Sequence, residues 1–434
     1  LDLVFVSWGI LKFQISNIEL EDYYFQFRVK IFILHTYFKC NIGFEYIMQK
    51  LVIKKGAESR IKFGHLWVFS NEPESLPKIE AGEVVDVFDG FGVSYGCAFY
   101  NPSSLICGRL LKYDKEPDLD FFVRRIEEAR DMRLKALGDI EMCRLVFSES
   151  DLLPGLVVDK YGDYFAVQIL SAGMDKRKQL IAKALVSVFP NAKGIIEKND
   201  TRLREIEGLP LDSSVLFGEI PETIQVSEQG VKLELSLSSG QKTGYFLDQR
   251  NNRRFIRDLS KGLSVLDCYT NQGGFALNAG LGGATKIAAV DCSEIALECV
   301  KRNAEINGLE IETVKADVPD FLNAEIAKGA KWDMIILDPP AFAKNRKSVP
   351  KAKAAYGKIN RLAMKMLNTG GYLISSSCSH HIFEDVFAET VYREACKLGK
   401  QLKLIYRGGQ APDHPILMSL PETQYLKFFV FQVV

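Results

Sequence analysis

The sequence predicts an α/β protein of several domains, and three observations carry that reading. At 434 residues the chain is longer than one hydrophobic core usually fills. From Gly240 onward, strand-like and helix-like segments alternate as a parallel sheet with crossover helices requires. Between Met48 and about residue 115 the pattern is instead one of short alternating strands, which reads as a small β-barrel. The boundaries expected are an N-terminal extension 1–47, a β-barrel 48–117, a small α/β middle domain 118–238 and an α/β domain 239–434.

Composition narrows the partners. Fifty-five basic residues balance 55 acidic ones, and 47% of residues are hydrophobic against 25% charged. The whole-molecule field therefore selects no polyanion, and any nucleic-acid surface has to be a local basic patch. The nine cysteines are odd in number and form no CxxC pair, which favours neither a zinc site nor a disulfide framework. No metal is expected, and a reduced, cytoplasmic setting is.

Residues 1–47 are rich in Phe, Ile, Leu and Tyr but lack a basic leader and a long apolar run. They read as neither signal peptide nor membrane span, and Met48 reads as the start of the folded part. The barrel strands are Lys50–Lys54, Gly82–Phe88 and Val93–Tyr100, punctuated by Asp89-Gly90 and Asn101-Pro102. Trp67 and Phe69 have faces that stack on bases, yet aromatic residues beside strands more often fill cores.

The middle segment reads as a charged helix, Asp118–Leu137, then strands Gly155–Asp159 and Tyr164–Leu170, a helix Lys176–Phe189 and a strand Gly194–Glu197. It carries no catalytic constellation, so its expected role is spacing or docking.

In the last domain the predicted strands are Ser264–Cys268, Lys286–Val290, Glu312–Ala316, Trp332–Leu337 and Gly371–Ser376, with helices over Glu294–Asn307 and Ala352–Leu367. Ligands of such sheets sit at the carboxyl ends of the strands. The first strand ends in Asp267 and a loop with Gly273-Gly274, whose glycines allow close backbone approach to a ligand but lack dinucleotide GxGxxG spacing. Asp291 after the second strand suits ribose hydroxyls, and Asp317 after the third suits an adenine amino group. Each also has a plain reading as a helix cap.

The fourth strand delivers Asp338-Pro339-Pro340-Ala341-Phe342, where the prolines fix the backbone and Phe342 is able to cover a flat ring. The fifth delivers Ser377-Cys378-Ser379-His380-His381. A thiol at that rim has a use: thiolate addition to carbon 6 of a pyrimidine makes carbon 5 nucleophilic towards a methyl donor.

With these motifs the chain resembles the PUA-domain-containing 23S ribosomal RNA cytosine-C5 methyltransferase family, called ribosomal RNA large subunit methyltransferase I. The resemblance rests on Thr243–Arg250, the Asp267–Phe275 loop, Asp338–Phe342, Ser377-Cys378-Ser379 and Asp413-His414-Pro415, and runs from about Met48 to the end. It implies a PUA-like barrel, a Rossmann-like class I methyltransferase domain and S-adenosylmethionine (SAM) as cofactor. It implies Cys378 as nucleophile beside a catalytic Asp338, and Pro339, Pro340 and Phe342 against the substrate base. Asp267, Gly273 and Gly274 would meet the methionine end of SAM, Asp291 the ribose and Asp317 the adenine, with Asp248, Gln249 and Arg250 lining the pocket. No second cysteine follows the two prolines, so Cys378 would act alone and the base that completes the reaction is not identified. His380 and His381 are near in sequence, and either simply starts a helix or serves there.

Arg253, Arg254, Arg257, Lys344, Arg346 and Lys347 are candidate phosphate contacts near the reacting base, each with solvated surface charge as its plain reading. No membrane partner is expected, and the oligomeric state is left open, a homodimer being one option. Two other functions stay in view: exocyclic-amine methylation, which needs no thiol, and a non-enzymatic RNA-binding assembly factor, which needs neither Asp338 nor Cys378.

Overall fold

The computed structural model describes residues 48–238, 243–343 and 345–434. The expectations placed on residues 1–47 and on Lys344 lie outside the described residues.

The first sheet contains β1 (Gln49–Ile53), β2 (Trp67–Phe69), β3 (Val84–Asp89), β4 (Ser94–Tyr100) and β5 (Ile106–Leu110) in the order β1-β3-β4-β5-β2. Alternation sends Val85, Val87 and Ala98 inward with Leu51, Ile53 and Val68. The sheet curls on itself: Ile53 bridges Pro73, and Val52 accepts from the Glu74 amide at 2.8 Å. The Asp89-Gly90 turn is fixed by Asp89 Oδ1, which accepts from Phe91 N and Val93 N at 2.9 Å each. Trp67 is partly buried and donates from Nε1 to Glu149 at 2.8 Å, which uses its polar edge to join this sheet to the next.

Helix α1 (Leu119–Leu137) starts at Asp118, whose side chain accepts from Phe121 N, and stops at Gly138 with φ of 75°. Behind it lie β6 (Met142–Phe147), β7 (Leu156–Tyr161), β8 (Tyr164–Ile169), α2 (Lys178–Val188), β9 (Gly194–Lys198) and β10 (Ser213–Gly218). Their sheet runs β10-β9-β8-β7-β6, and only the β8–β9 pair, joined through α2, is parallel. Arg109 fastens the first sheet here, with Glu149 and Glu207 both at 3.0 Å. A hairpin follows, β11 (Ile224–Glu228) and β12 (Val231–Leu235), turned by Gln229 and Gly230 at φ of 50° and 82°.

The last domain comprises α3 (Arg250–Leu259), β13 (Ser264–Cys268), α4 (Gly274–Leu281), β14 (Lys286–Asp291), α5 (Glu294–Ile306), β15 (Glu312–Lys315) and α6 (Val318–Ala327). It continues with β16 (Trp332–Leu337), α7 (Val349–Met366), β17 (Leu367–Ser377), α8 (Glu384–Lys397), β18 (Leu402–Gly408) and β19 (Lys427–Val433). The seven-stranded sheet runs β15-β14-β13-β16-β17-β19-β18, and β19 alone is antiparallel to its neighbours. Both faces are covered, which is why these strands read as nearly continuous apolar runs: Ile335 and Leu337 enter one core, Met334 and Ile336 the other. Strand order reverses at β13, so the carboxyl ends of β13, β14, β16 and β17 border one crevice. No described helix is long and apolar enough to cross a membrane.

Candidate active site

At the end of β13 the Asp267 carboxyl is fully buried, and Oδ2 accepts from Thr270 Oγ1 at 2.6 Å and from Ala276 N at 3.1 Å. It therefore holds its own loop. Burial pushes it up to about 7, helped by the charges of Asp338 and Asp291, and Oδ1 has no partner. Within the loop, Tyr269 and Asn271 stand at φ of 64° and 50°. Such left-handed non-glycine residues collect where surrounding structure over-determines a functional loop.

The glycine pair has a reason internal to the protein. Gly273 caps α4 at φ of 82°, and a Cβ on Gly274 would lie 2.7 Å from Tyr245 Oη. Turn geometry and the packing of Tyr245 thus give these two positions a structural need for glycine as well.

Asp291 closes β14 and ties two loops, accepting from Asn271 N at 3.0 Å through Oδ2 and from Ser293 N at 2.9 Å through Oδ1. Asp317 is two residues beyond the end of β15, exposed, and caps α6 by accepting from Asp320 N at 3.3 Å. Its local work is that of a cap.

The tightest meeting of expected site residues centres on Gln249. Its amide nitrogen donates to Asp338 Oδ2 and to Ser376 Oγ, both at 3.1 Å, while Oε1 accepts from Asn252 at 2.6 Å. Beside it Asp248 Oδ2 accepts from Tyr425 at 2.6 Å, and Asp248 Oδ1 has no partner. Burial and the charge of Asp248 push Asp338 up to about 6, opposed by the bonds from Ser376 and Gln249.

Arg250 does not join this group. Its guanidinium bonds the Met142 carbonyl and stands 3.6 Å from Glu228, so it stitches the last domain to the middle one. Arg253 and Arg257 also have partners within the protein. Arg253 is buried in an ion pair with Glu228 at 2.6 Å, and Arg257 is bonded to Asn278 at 2.7 Å. Arg254, Arg346 and Lys347 are exposed.

Cys378 follows β17 and is half-buried. Tyr356, fully buried on α7, grips both neighbours: Ser377 Oγ donates to Tyr356 Oη at 2.9 Å, and Ser379 Oγ lies 3.0 Å from it. Ser379 Oγ also accepts from Ala343 N at 3.2 Å, joining the Cys378 loop to the one that carries Pro339, Pro340 and Phe342. Pro339 is buried and Pro340 exposed; the Phe342 ring leans on Tyr356 at 4.7 Å between centroids. Tyr356, Tyr425 and Lys427 are additions that sequence reasoning missed, although Lys427 opens an evident strand, Lys-Phe-Phe-Val-Phe.

Comparison with known proteins follows the same outline. A PUA-like domain family matches residues 51–113 and an S-adenosylmethionine-dependent methyltransferase family matches residues 210–423. Ribosomal RNA large subunit methyltransferase I of Erwinia tasmaniensis is 36% identical over 394 residues, covering 89% of this chain and 99% of that protein. Its Vibrio cholerae counterpart is 38% identical over 399 residues, 88% of this chain and 99% of its own length. The chain belongs to the ribosomal RNA large subunit methyltransferase I family. The three-part α/β architecture expected from sequence recurs in a SAM-dependent methyltransferase from Streptococcus mutans (TM-score 0.76, 23% identity, 89% and 100% of the two chains covered). It recurs again in a methyltransferase solved with S-adenosylhomocysteine (SAH), with TM-score 0.78, 24% identity and the same coverage.

For this family the cofactor is SAM, and the residues at the crevice suit it. Asp267 and Asp338 are raised partly by neighbouring carboxylates, and Asp248 and Asp267 each keep an oxygen without a partner. An acidic cluster of that kind favours a ligand bearing a sulfonium and an ammonium.

Proposed function

We propose that this member of the ribosomal RNA large subunit methyltransferase I family methylates carbon 5 of a cytosine in 23S ribosomal RNA, with Cys378 as the covalent nucleophile. The observation that supports it most is the placement of a half-buried Cys378 between two serines clamped by Tyr356, next to the Asp338–Phe342 loop. Bound SAM supplies an electrophilic methyl group. Asp291 would hold the ribose through lone pairs that Asn271 and Ser293 leave over, Asp317 would meet the adenine, and Asp267, Gly273 and Gly274 would shape the methionine end. Asp248 and Gln249 line the pocket; Arg250 is left to its structural bonds.

At the base, Asp338 accepts from the cytosine amino group, with Pro339, Pro340 and Phe342 framing the ring. The Cys378 sulfur adds to carbon 6, and the displaced electron pair gives carbon 5 the character to take up the methyl group. Loss of the carbon-5 proton to a base then expels the sulfur and restores the ring. The target must leave its stack, at a cost of a few kcal/mol. Docking through the PUA-like part, residues 48–117, offsets that cost, with residues 118–238 as spacer, 239–434 as catalytic domain and the reduced cytoplasm as setting.

A trapping experiment tests the reading. RNA carrying 5-fluorocytosine blocks the final elimination, so wild-type protein with SAM should form a denaturant-resistant adduct at Cys378, absent in Cys378→Ala. Turnover of that RNA with no adduct, or an adduct on another residue, would overturn it. A methylated exocyclic amine would move the assignment to amine methylation.

A further inference from the structure

We infer that Lys427 is the cation that holds the Cys378 sulfur as a thiolate, a positioning residue for the nucleophile. The inference rests on the reading of Cys378 given above. Lys427 opens β19 directly opposite Ser377 in the β17–β19 register. Its Nζ donates to the Ser379 carbonyl at 2.7 Å and to the Tyr425 carbonyl at 2.7 Å. The side chain thus starts across from the residue before Cys378 and ends on the carbonyl of the residue after it.

A lysine at a strand end normally reaches water, yet this one is only 6% exposed. Two carbonyls satisfy donors without neutralising charge, so a buried ammonium still calls for an anion. Among the described residues, the charges that act on it are those of Cys378 and Glu384. Glu384, in the first turn of α8, acts on Lys427 but is already paired with Arg407. Tyr356 from α7, His380 beyond β17 and Tyr425 ahead of β19 bring no fixed negative charge at neutral pH. That leaves Cys378 as the group able to become the counter-ion. Burial pulls Lys427 down to about 8, and the Cys378 charge is the first influence opposing that fall. The pairing works in both directions: each charged form stabilises the other. The thiol proton passes to solvent before RNA binds, no bond forms to Lys427, and the sulfur waits in its nucleophilic state.

The competing explanation is that Lys427 merely pins the turn after Cys378 through those carbonyls. The two differ in the thiol's acidity. We would follow iodoacetamide alkylation against pH by peptide mass spectrometry in the full chain, with exposed Cys292 and Cys396 as internal references. Wild-type Cys378 should titrate at or below about 7.5, against about 8.5 for an ordinary thiol. Lys427→Met should cut the thiolate fraction at pH 7 about tenfold or more, and Lys427→Arg should restore it. Wild-type Cys378 titrating like the references would overturn the proposal even where Lys427→Met fails to fold; so would a folded Lys427→Met with an unmoved profile. A Cys378 whose acidity follows Lys427 in a protein where Cys378→Ala still methylates RNA would keep the pairing and remove the nucleophile reading instead.

Discussion

Gln249 and Asp338, far apart in the chain, meet through a 3.1 Å hydrogen bond from the amide to the carboxylate. Because the same amide nitrogen donates to Ser376, one side chain fixes the ends of β16 and β17 against each other. Gln249→Ala should therefore misplace Asp338 more than it unfolds the protein. Single-turnover methyl transfer is expected to fall roughly 10–100-fold, about 1.5–3 kcal/mol, with a smaller change in unfolding free energy.

Asp338 sits near 6 because burial and Asp248 disfavour its charge. If its carboxylate accepts from the base, the transfer rate should drop about tenfold per pH unit below that value. Asp338→Asn should lose at least about 100-fold in rate and lose the Asp338 part of this pH dependence, keeping only the fall due to Cys378, as read from single-turnover profiles between pH 5 and 8.

Asp267 is raised from 3.8 to about 7. A folded value above the unfolded one means its contribution to stability is fully present below about 3.8 and fades as pH rises through about 7. Wild-type thermal midpoints should fall from about pH 4 to about pH 7, and Asp267→Asn should flatten that slope, by an amount of order 4 kcal/mol at most over the whole window. Cationic SAM should reduce the same slope by favouring the ionised form.

Much of this was legible in the sequence, for a physical reason. Strands buried on both faces are largely apolar, so Ser264–Cys268 and Trp332–Leu337 declare themselves by residue type, and the acidic residues at their carboxyl ends, Asp267 and Asp338, mark the crevice. What stayed hidden depends on long-range partners. Arg253 reads as a surface cation until Glu228, on a hairpin that periodicity did not reveal, turns up beside it. Arg250 likewise finds Met142, and Asp248 finds Tyr425 across most of the domain. Asp317 reads as a strand end because Ala316 extends the apolar pattern, whereas β15 stops at Lys315 and the carboxylate caps α6.

The Arg253–Glu228 pair is enclosed, so removing one partner strands a buried charge. Glu228→Ala should lower the unfolding free energy by roughly 3–5 kcal/mol in urea titrations, far more than an exposed pair such as Arg254–Asp258 would.

Exposure separates the candidate RNA-phosphate cations from structural ones. Replacing exposed Arg254, Arg346 and Lys347 together by Ala should weaken RNA binding and reduce the slope of log affinity against log salt by about 0.7–0.9 for each phosphate that is no longer neutralised. Arg257→Ala, which removes a guanidinium bonded to Asn278, should leave that slope unchanged.

The most direct test of the account is methyl transfer from labelled SAM to 23S RNA taken from cells lacking this protein, with the product identified by nucleoside mass spectrometry. It predicts 5-methylcytosine from the wild type and none from Cys378→Ala. An N-methylated base, or a Cys378→Ala variant as active as the wild type, would contradict it.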